Sequence, residues 1–240
     1  MDRPLLIIAT RNKHKVGEIR AILGDQYQLL SLDDFPGAPP VVEDAPTFAG
    51  NATKKAVELA KWLSASGSLH ATCRAEGTRE GGSVLADDSG LEVDALHGAP
   101  GVHSARFAAL DAGHAGNSSD KANRAKLLRL LDGIPAERRT ARFRCILALT
   151  PVGGTEIKPA SPVCYADEAE LQTGLFEGVC EGRITFAPRG EGGFGYDPLF
   201  IPDGYDQTFG ELPEEIKNQL SHRARALARM RDAIKGQARP

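Results

Sequence analysis

The stretch Ser83-Val84-Leu85-Ala86-Asp87-Asp88-Ser89-Gly90-Leu91-Glu92-Val93-Asp94-Ala95-Leu96 decides how the 240-residue chain is read. A short apolar run ends in two adjacent carboxylates, a hydroxyl and a glycine, and an alternating apolar segment then resumes. The run up to Ala86 predicts a buried strand, and Gly90 a point where the backbone suits a residue without Cβ. Side chains alternate along a strand, so Asp87 and Asp88 are expected to diverge, one toward the fold and one toward a cleft. Taken alone, an Asp-Asp pair is as much at home in a turn or at a solvated strand end. The flanking segments have to decide.

Upstream, Leu5 to Ala9 is a continuous apolar run and predicts a central strand. Thr10-Arg11-Asn12-Lys13-His14-Lys15 follows, and then Val16, Ile19, Ile22 and Leu23 at helical spacing, closed by Gly24. Basic residues at a helix start oppose the macrodipole, so their presence points to a role other than stability, and an anion such as a triphosphate is the natural occupant. No Gly-x-x-x-x-Gly-Lys-Ser/Thr occurs, so this is not a P-loop. Tyr27 to Ser31 predicts a second strand, and residues 32–46, with five prolines and glycines, a loop. Thr47 caps a long helix whose Ala52, Ala56, Leu59, Ala60 and Leu63 form one apolar stripe. Residues 64–82, rich in Ser, Gly and charge, read as an exposed insertion.

Downstream, the Gly- and Pro-rich run from Gly98 to Phe107 reads as a shaped loop. Residues 117–131 read as a helix with Ala125, Leu128 and Leu131 inward and Lys121, Arg124 and Lys126 on a solvated face. Thr140 to Thr150 is a long strand, with Phe143, Cys145, Leu147 and Leu149 alternating against Arg142 and Arg144. Further strands are expected at Val163–Ala166 and Leu171–Cys180, separated from it by an excursion over Pro151–Pro162. The run from Pro188 to Phe200, with Gly192, Gly193 and Gly195 around Phe194, Tyr196 and Asp197, is a poor strand. It suits either a flat-ring site or a glycine-rich hairpin anchored by its aromatics. Leu212 to Leu220 starts a helix at Pro213, and Ser221 caps a last helix with Leu227, Met230 and Ile234 inward. Lys217, His222 and Arg223 are read as lying near a helix start that favours anions. Residues 236–240 are expected to fray. Strands stand beside helices and beside one another, so the fold class is α/β, a mixed sheet flanked by helices, and no repeat or linker splits residues 1–240.

Composition narrows the function. The formal net charge of −3 provides no global basic field, which argues against nucleic acid as a partner. Cys73, Cys145, Cys164 and Cys180 are widely spaced, with neither Cys-x-x-Cys nor zinc-site histidines, and read as free thiols in a reducing compartment. The apolar opening is too short for a signal peptide, and no run approaches the ~20 residues of a spanning helix, so a cytoplasmic chain away from the membrane is expected.

Two basic helix starts, a carboxylate pair and an aromatic-glycine loop together describe a nucleotide site that binds Mg²⁺. The same stretches carry a resemblance: Thr10 to Lys15, Ala86 to Leu91, Gly98 to Arg106, Gly192 to Pro198 and Ser221-His222-Arg223 resemble, in order, motifs of the inosine-triphosphate pyrophosphatase family. The resemblance spans residues 10 to 223. It implies an elongated α/β subunit whose two lobes flank a central nucleotide cleft, working as a homodimer. It implies cleavage of ITP, dITP or XTP to the monophosphate and pyrophosphate with Mg²⁺. Asp88 matches the general base and lies by the metal with Asp87. Thr10, Arg11, Asn12, Lys13, His14, Lys15, Ser89, Lys217 and Arg223 match substrate contacts, and Phe194, Gly195, Tyr196, Asp197 and His222 match the base pocket.

The residue chemistry is consistent with this. Attack of water on phosphorus needs charge neutralisation more than covalent help, which Lys13, Lys15 and Lys217 are placed in sequence to supply. One departure stands out. The family usually has Glu-Asn-Ala, with a metal-binding Glu, where this chain has Gly50-Asn51-Ala52, and a water or a nearby acid, Glu43 or Asp44, is expected to substitute. Three rival readings follow from the same residues: a nucleotide-binding module weakened in catalysis, a pyrophosphatase for modified pyrimidine triphosphates, and a phosphatase with an aspartate nucleophile. The last wants Asp-x-Asp, which Asp87-Asp88 is not.

Overall fold

The computed structural model describes residues 3–70, 72, 82–113, 116–153 and 172–237. Strands β1 (Leu5–Ile8), β2 (Gln28–Ser31), β3 (Gly82–Val93), β4 (Thr140–Val152), β5 (Gly174–Ile184) and β6 (Phe200–Pro202) form one six-stranded sheet in the order β2-β1-β3-β4-β5-β6. The helices that bear on the site are α1 (Lys13–Leu23), α2 (Phe48–Ser66), α3 (Asp120–Leu130), α4 (Glu214–Leu220) and α5 (His222–Gln237). β1 runs parallel to β2 and β3, while β5 and β6 are antiparallel, so the sheet is mixed as expected. The described residues fall into two compact units, one drawn from Met1–Asp88 and Ile146–Phe176, the other from Ser89–Cys145 and Glu177–Pro240.

In the first unit β1 is paired on both sides, which is why Leu5 to Ile8 can be apolar without a break and are all buried. The Asn12 side chain accepts from the His14 and Lys15 N–H groups and starts α1; Gly24 ends it. Thr47 accepts from the Gly50 N–H and starts α2. The α2 stripe Ala52, Ala56, Leu59, Ala60 and Leu63 packs on Leu5, Ile7, Val84 and Ala86. Each fully buried Leu or Ile here contributes roughly 1.5–3 kcal/mol.

The second unit has its own core, in which Leu91 and Val93 of β3 meet Leu127, Leu131, Phe143, Phe200 and Phe209. The Phe143 ring lies 4.7 Å from that of Phe200, edge to face, and Phe200 lies 5.3 Å from Phe209. Such pairs contribute about 0.5–1.5 kcal/mol beyond the area they bury.

Several expectations are corrected. β3 is one strand through Asp87, Asp88, Ser89 and Gly90, with no break at the glycine. The run from Gly98 is not wholly loop, because Gly101–Arg106 closes into a 3-10 helix held by the Ser104 hydroxyl on the Gly101 carbonyl. Ala125 is exposed, and Asn123, Leu127 and Leu131 face inward at four-residue spacing, the Asn123 amide accepting from the Ala108 N–H and donating to the Ala105 carbonyl. Leu149 is half-buried because Leu147 and Ala148 are buried in succession, shifting the β4 alternation just after its passage between units at Ile146. The expected insertion is narrower: α2 continues to Ser66, residues 68–70 are helical with Leu69 buried, and β3 opens at Gly82. Residues 236–237 belong to α5 rather than to a frayed tail. The remainder of the insertion, the Val163–Ala166 strand, Cys73, Cys164 and residues 238–240 lie outside the described residues, as does the excursion beyond Gly153.

Candidate active site

Chemistry in the first unit gathers where β3 delivers Asp87 and Asp88, both buried at 2% and 7% exposure. Adjacent residues on a strand diverge, and these do. Asp87 bonds Lys15 of α1, whereas Asp88 faces α2, with its Oδ1 3.1 Å from Lys55 Nζ and its Oδ2 3.3 Å from Asn51 Nδ2. The Lys55 ammonium also donates to the Asp87 carbonyl at 2.8 Å and to Glu43 Oε2 at 2.9 Å. One lysine thus collects two carboxylates and a carbonyl. Burial pushes the Asp88 carboxyl up to about 6, against the pull of Lys55 and Lys15, and the hydrogen bond to Glu43 adds to the rise. Burial works the same way on Glu43, but Lys55 outweighs it and holds that group below its ordinary value. Desolvation acts against the Lys55 charge, and the carboxylates around it still raise its pKa.

The Thr10 to Lys15 run divides its labour. Thr10 Oγ1 accepts from the Asn12 N–H, Asn12 caps α1, and Arg11 donates to the Ala38 carbonyl at 2.9 Å. Lys13 and His14 are exposed in the first turn, which holds no acidic residue. Lys15 is committed to Asp87.

At position 50 a Cβ would meet the Ala45 Cβ at 2.8 Å and Thr47 Oγ1 at 3.2 Å, so the side-chain direction runs into the preceding loop. That loop is what brings Glu43 to Lys55 and Asp88. Asp44, the other acid considered, pairs with Lys54 and is largely exposed.

In the second unit the aromatic-glycine loop is a turn around Phe194-Gly195-Tyr196-Asp197, closed by the Asp197 N–H on the Phe194 carbonyl at 3.1 Å. The Asp197 carboxylate, buried at 3% exposure, accepts from the Phe194 N–H and from Lys217 Nζ, at 2.8 and 2.7 Å. Lys217 comes from the last turn of α4, not from a helix start, and its ammonium lies 4.9 Å from the Phe194 ring centre. Tyr196 is buried with its hydroxyl on the Ser104 carbonyl, so it anchors the loop while Phe194 stays half-exposed. The His222 ring stacks on Phe143 with centres 4.9 Å apart, and the buried Arg223 donates to Ser89 Oγ at 3.1 Å.

These two constellations fall on a chain whose residues 6–233 match the model of the Ham1 family. The chain belongs to the Ham1 family. Among its relatives, a dITP/XTP pyrophosphatase of Geobacter sulfurreducens is 45% identical over 95% of this chain and 96% of its own length. Proteins of the same name from Shouchella clausii, 42% identical over 96% of each chain, and Desulforamulus reducens, 44% identical over 95% and 94%, agree with it. The HAM1 protein structure from Coxiella burnetii matches with a TM-score of 0.71 and 30% identity, covering 97% of this chain and 99% of that one. The Staphylococcus aureus Ham1 structure gives 0.67 and 31% over the same shares.

On this Ham1 framework the acids suit a hard divalent cation. Asp88 and Glu43 offer oxygen donors already gathered on one ammonium, that of Lys55. Among the described residues no three His, Cys, Asp or Glu side chains form a ready-made cage. Mg²⁺ does not ask for one, since it takes a carboxylate or two and completes its shell with water and phosphate oxygens.

Sequence reading missed Lys55 and Asn51, and on α3 it missed Asp120 and Arg124. A signal for the first pair was present: Asn51 and Lys55 are one turn apart and interleaved with the buried Ala52 and Ala56, where a solvated lysine does not belong. Arg124 and Lys126 do not sit on a solvated face: they donate to the Gly195 and Phe107 carbonyls, each at 2.7 Å.

Proposed function

We infer that this chain hydrolyses non-standard purine nucleoside triphosphates, ITP, dITP and XTP, to the monophosphate and pyrophosphate. One observation carries the reading: a buried Asp88 carboxylate held by Lys55 and Glu43 at the strand motif of a Ham1 chain. A group whose pKa sits near 6 accepts a proton at neutral pH without being inert as a base. In the proposed step a water oxygen bonds to a phosphorus of the α–β bridge, the bridging P–O bond breaks, and the water's proton passes to Asp88. Lys55 steadies the Asp88 carboxylate, while Lys13, exposed in the first turn of α1, neutralises phosphate charge. Mg²⁺, held by Asp88 with Glu43 or Asp87, supplies Lewis-acid charge neutralisation when bound.

The residues that resemble the family's base pocket belong to the second unit. Phe194 offers a ring face for stacking, and His222 is our candidate donor to the 6-oxo group of hypoxanthine or xanthine. Adenine presents an amino group there, a mismatch costing ~1–3 kcal/mol. The same reading includes a cytoplasmic homodimer, for which sedimentation velocity is the direct measurement. The deciding experiment is a panel of purine and modified pyrimidine nucleoside triphosphates with phosphate and pyrophosphate measured separately. Pyrophosphate from ITP, dITP and XTP in the presence of Mg²⁺ supports the reading. Release of phosphate alone, a preference for pyrimidines, or binding without turnover overturns it.

A further inference from the structure

The turn at Phe194–Asp197 is held by more than its own atoms. Gly195 has φ +61° and Tyr196 φ −96°, ψ 3°, the pattern of a type II′ turn with glycine at its first central position. Both backbone groups of that glycine are engaged by α3. Its N–H donates to Asp120 Oδ2 at 2.7 Å, and its carbonyl accepts from Arg124 Nη1 at 2.7 Å. Asp120 and Arg124 are four residues apart, one turn of the same helix, so they present a carboxylate and a guanidinium side by side. The carbonyl is the group that would swing round if the central peptide flipped toward a type I′ turn, and Arg124 opposes that flip. Tyr196, as an L-residue, opposes it too, because a type I′ turn would give it a positive φ.

We propose that Asp120 and Arg124 form a positioning clamp that sets the substrate's base platform, so that Phe194 is presented in one orientation before ligand arrives. This rests on the pyrophosphatase reading, in which Phe194 meets the purine. Neither clamp residue touches substrate in this scheme; each acts through Gly195. Other contacts around the turn cannot replace them. Asp197 holds the Phe194 N–H and the Ser104 carbonyl holds the Tyr196 hydroxyl, but among the described contacts only α3 reaches the peptide groups of Gly195. A preorganised platform lowers the ordering cost of binding, so its loss should appear in KM rather than kcat.

The test compares Asp120→Ala, Arg124→Ala and the conservative Asp120→Asn, whose amide oxygen still accepts from Gly195. Losing one charge-assisted hydrogen bond is expected to raise KM for dITP about tenfold, with kcat within about twofold of wild type. Amide exchange in the peptide covering residues 192–198 should quicken about tenfold in both alanine variants and not elsewhere. Asp120→Asn should restore most of both. Arg124→Ala places a good helix former on α3, so it should fold even if Asp120→Ala weakens the helix start. Wild-type exchange and wild-type KM in both alanine variants would overturn the clamp. Exchange is read on the protein alone, so it decides the clamp even if wild type releases no pyrophosphate, an outcome that would instead sink the pyrophosphatase reading.

Discussion

Lys55 Nζ lies 3.1 Å from Asp88 Oδ1, and this contact ties the long helix α2 to the acids of β3. The same ammonium holds Glu43, so removing it takes from the buried Asp88 carboxylate its lysine partner and releases Glu43. Lys55→Met is expected to lower stability at pH 8 by about 3–5 kcal/mol, measured by urea unfolding. The double variant Lys55→Met/Asp88→Asn should recover much of the loss. A single variant as stable as wild type would show that the lysine is not needed to hold the acids.

Asp88→Asn separates chemistry from folding. Turnover of dITP should fall about 10²- to 10⁴-fold, the usual size of a general-base contribution. Stability should move the other way, and with a defined pH dependence. The folded carboxyl, pushed up to about 6 from an ordinary 3.8, binds its proton more tightly than the unfolded chain does. Wild type therefore loses stability as pH rises from about 4 to about 6, by up to about 3 kcal/mol if the whole shift is realised. Asparagine has no proton to lose, so in EDTA its advantage over wild type should grow across that window and be flat above it. An advantage that shrinks with rising pH would contradict the buried-acid account.

At position 50 the side chain has nowhere to go. Gly50→Ala forces its Cβ against Ala45, 2.8 Å away, and should cost about 1–3 kcal/mol as overpacking does. Gly50→Glu should lower turnover, because the loop that must yield is the one carrying Glu43. Increased turnover and tighter Mg²⁺ binding in Gly50→Glu would instead mean that the new carboxylate reaches the metal.

The Lys217–Asp197 pair, with both side chains about 5% exposed or less, should behave as one unit. Lys217→Ala and Asp197→Ala are each expected to cost about 3–5 kcal/mol, and the double variant far less than their sum. A double-mutant cycle on thermal unfolding checks this, and simple additivity would deny the coupling.

Burial raises the Cys180 thiol to about 11, leaving almost no thiolate at pH 8. In the folded protein it should resist iodoacetamide and become reactive only as the chain unfolds, as followed by peptide mass mapping. Fast native labelling would mean that the second core opens readily.

The sequence by itself determined whatever depends on neighbours along the chain. β1, α1 and the start of α2 were legible because an apolar run, an Asn or Thr cap and a closing glycine each act within one helical turn. The divergence of Asp87 and Asp88 was legible because strand geometry imposes it. Only the tertiary structure decided what each side chain met. Arg124 looks like an ordinary surface cation in sequence, and the place of Lys55 beside the buried stripe of α2 does not name its partner; those partners, Gly195 and Asp88, lie 71 and 33 residues away. At Gly50, too, only packing shows that the loop before it occupies the space a side chain would take and brings Glu43 to Lys55. Local propensity acts over a few residues, whereas burial and charge pairing are fixed by which strands and helices pack together, and that is where the chemistry of this chain was settled.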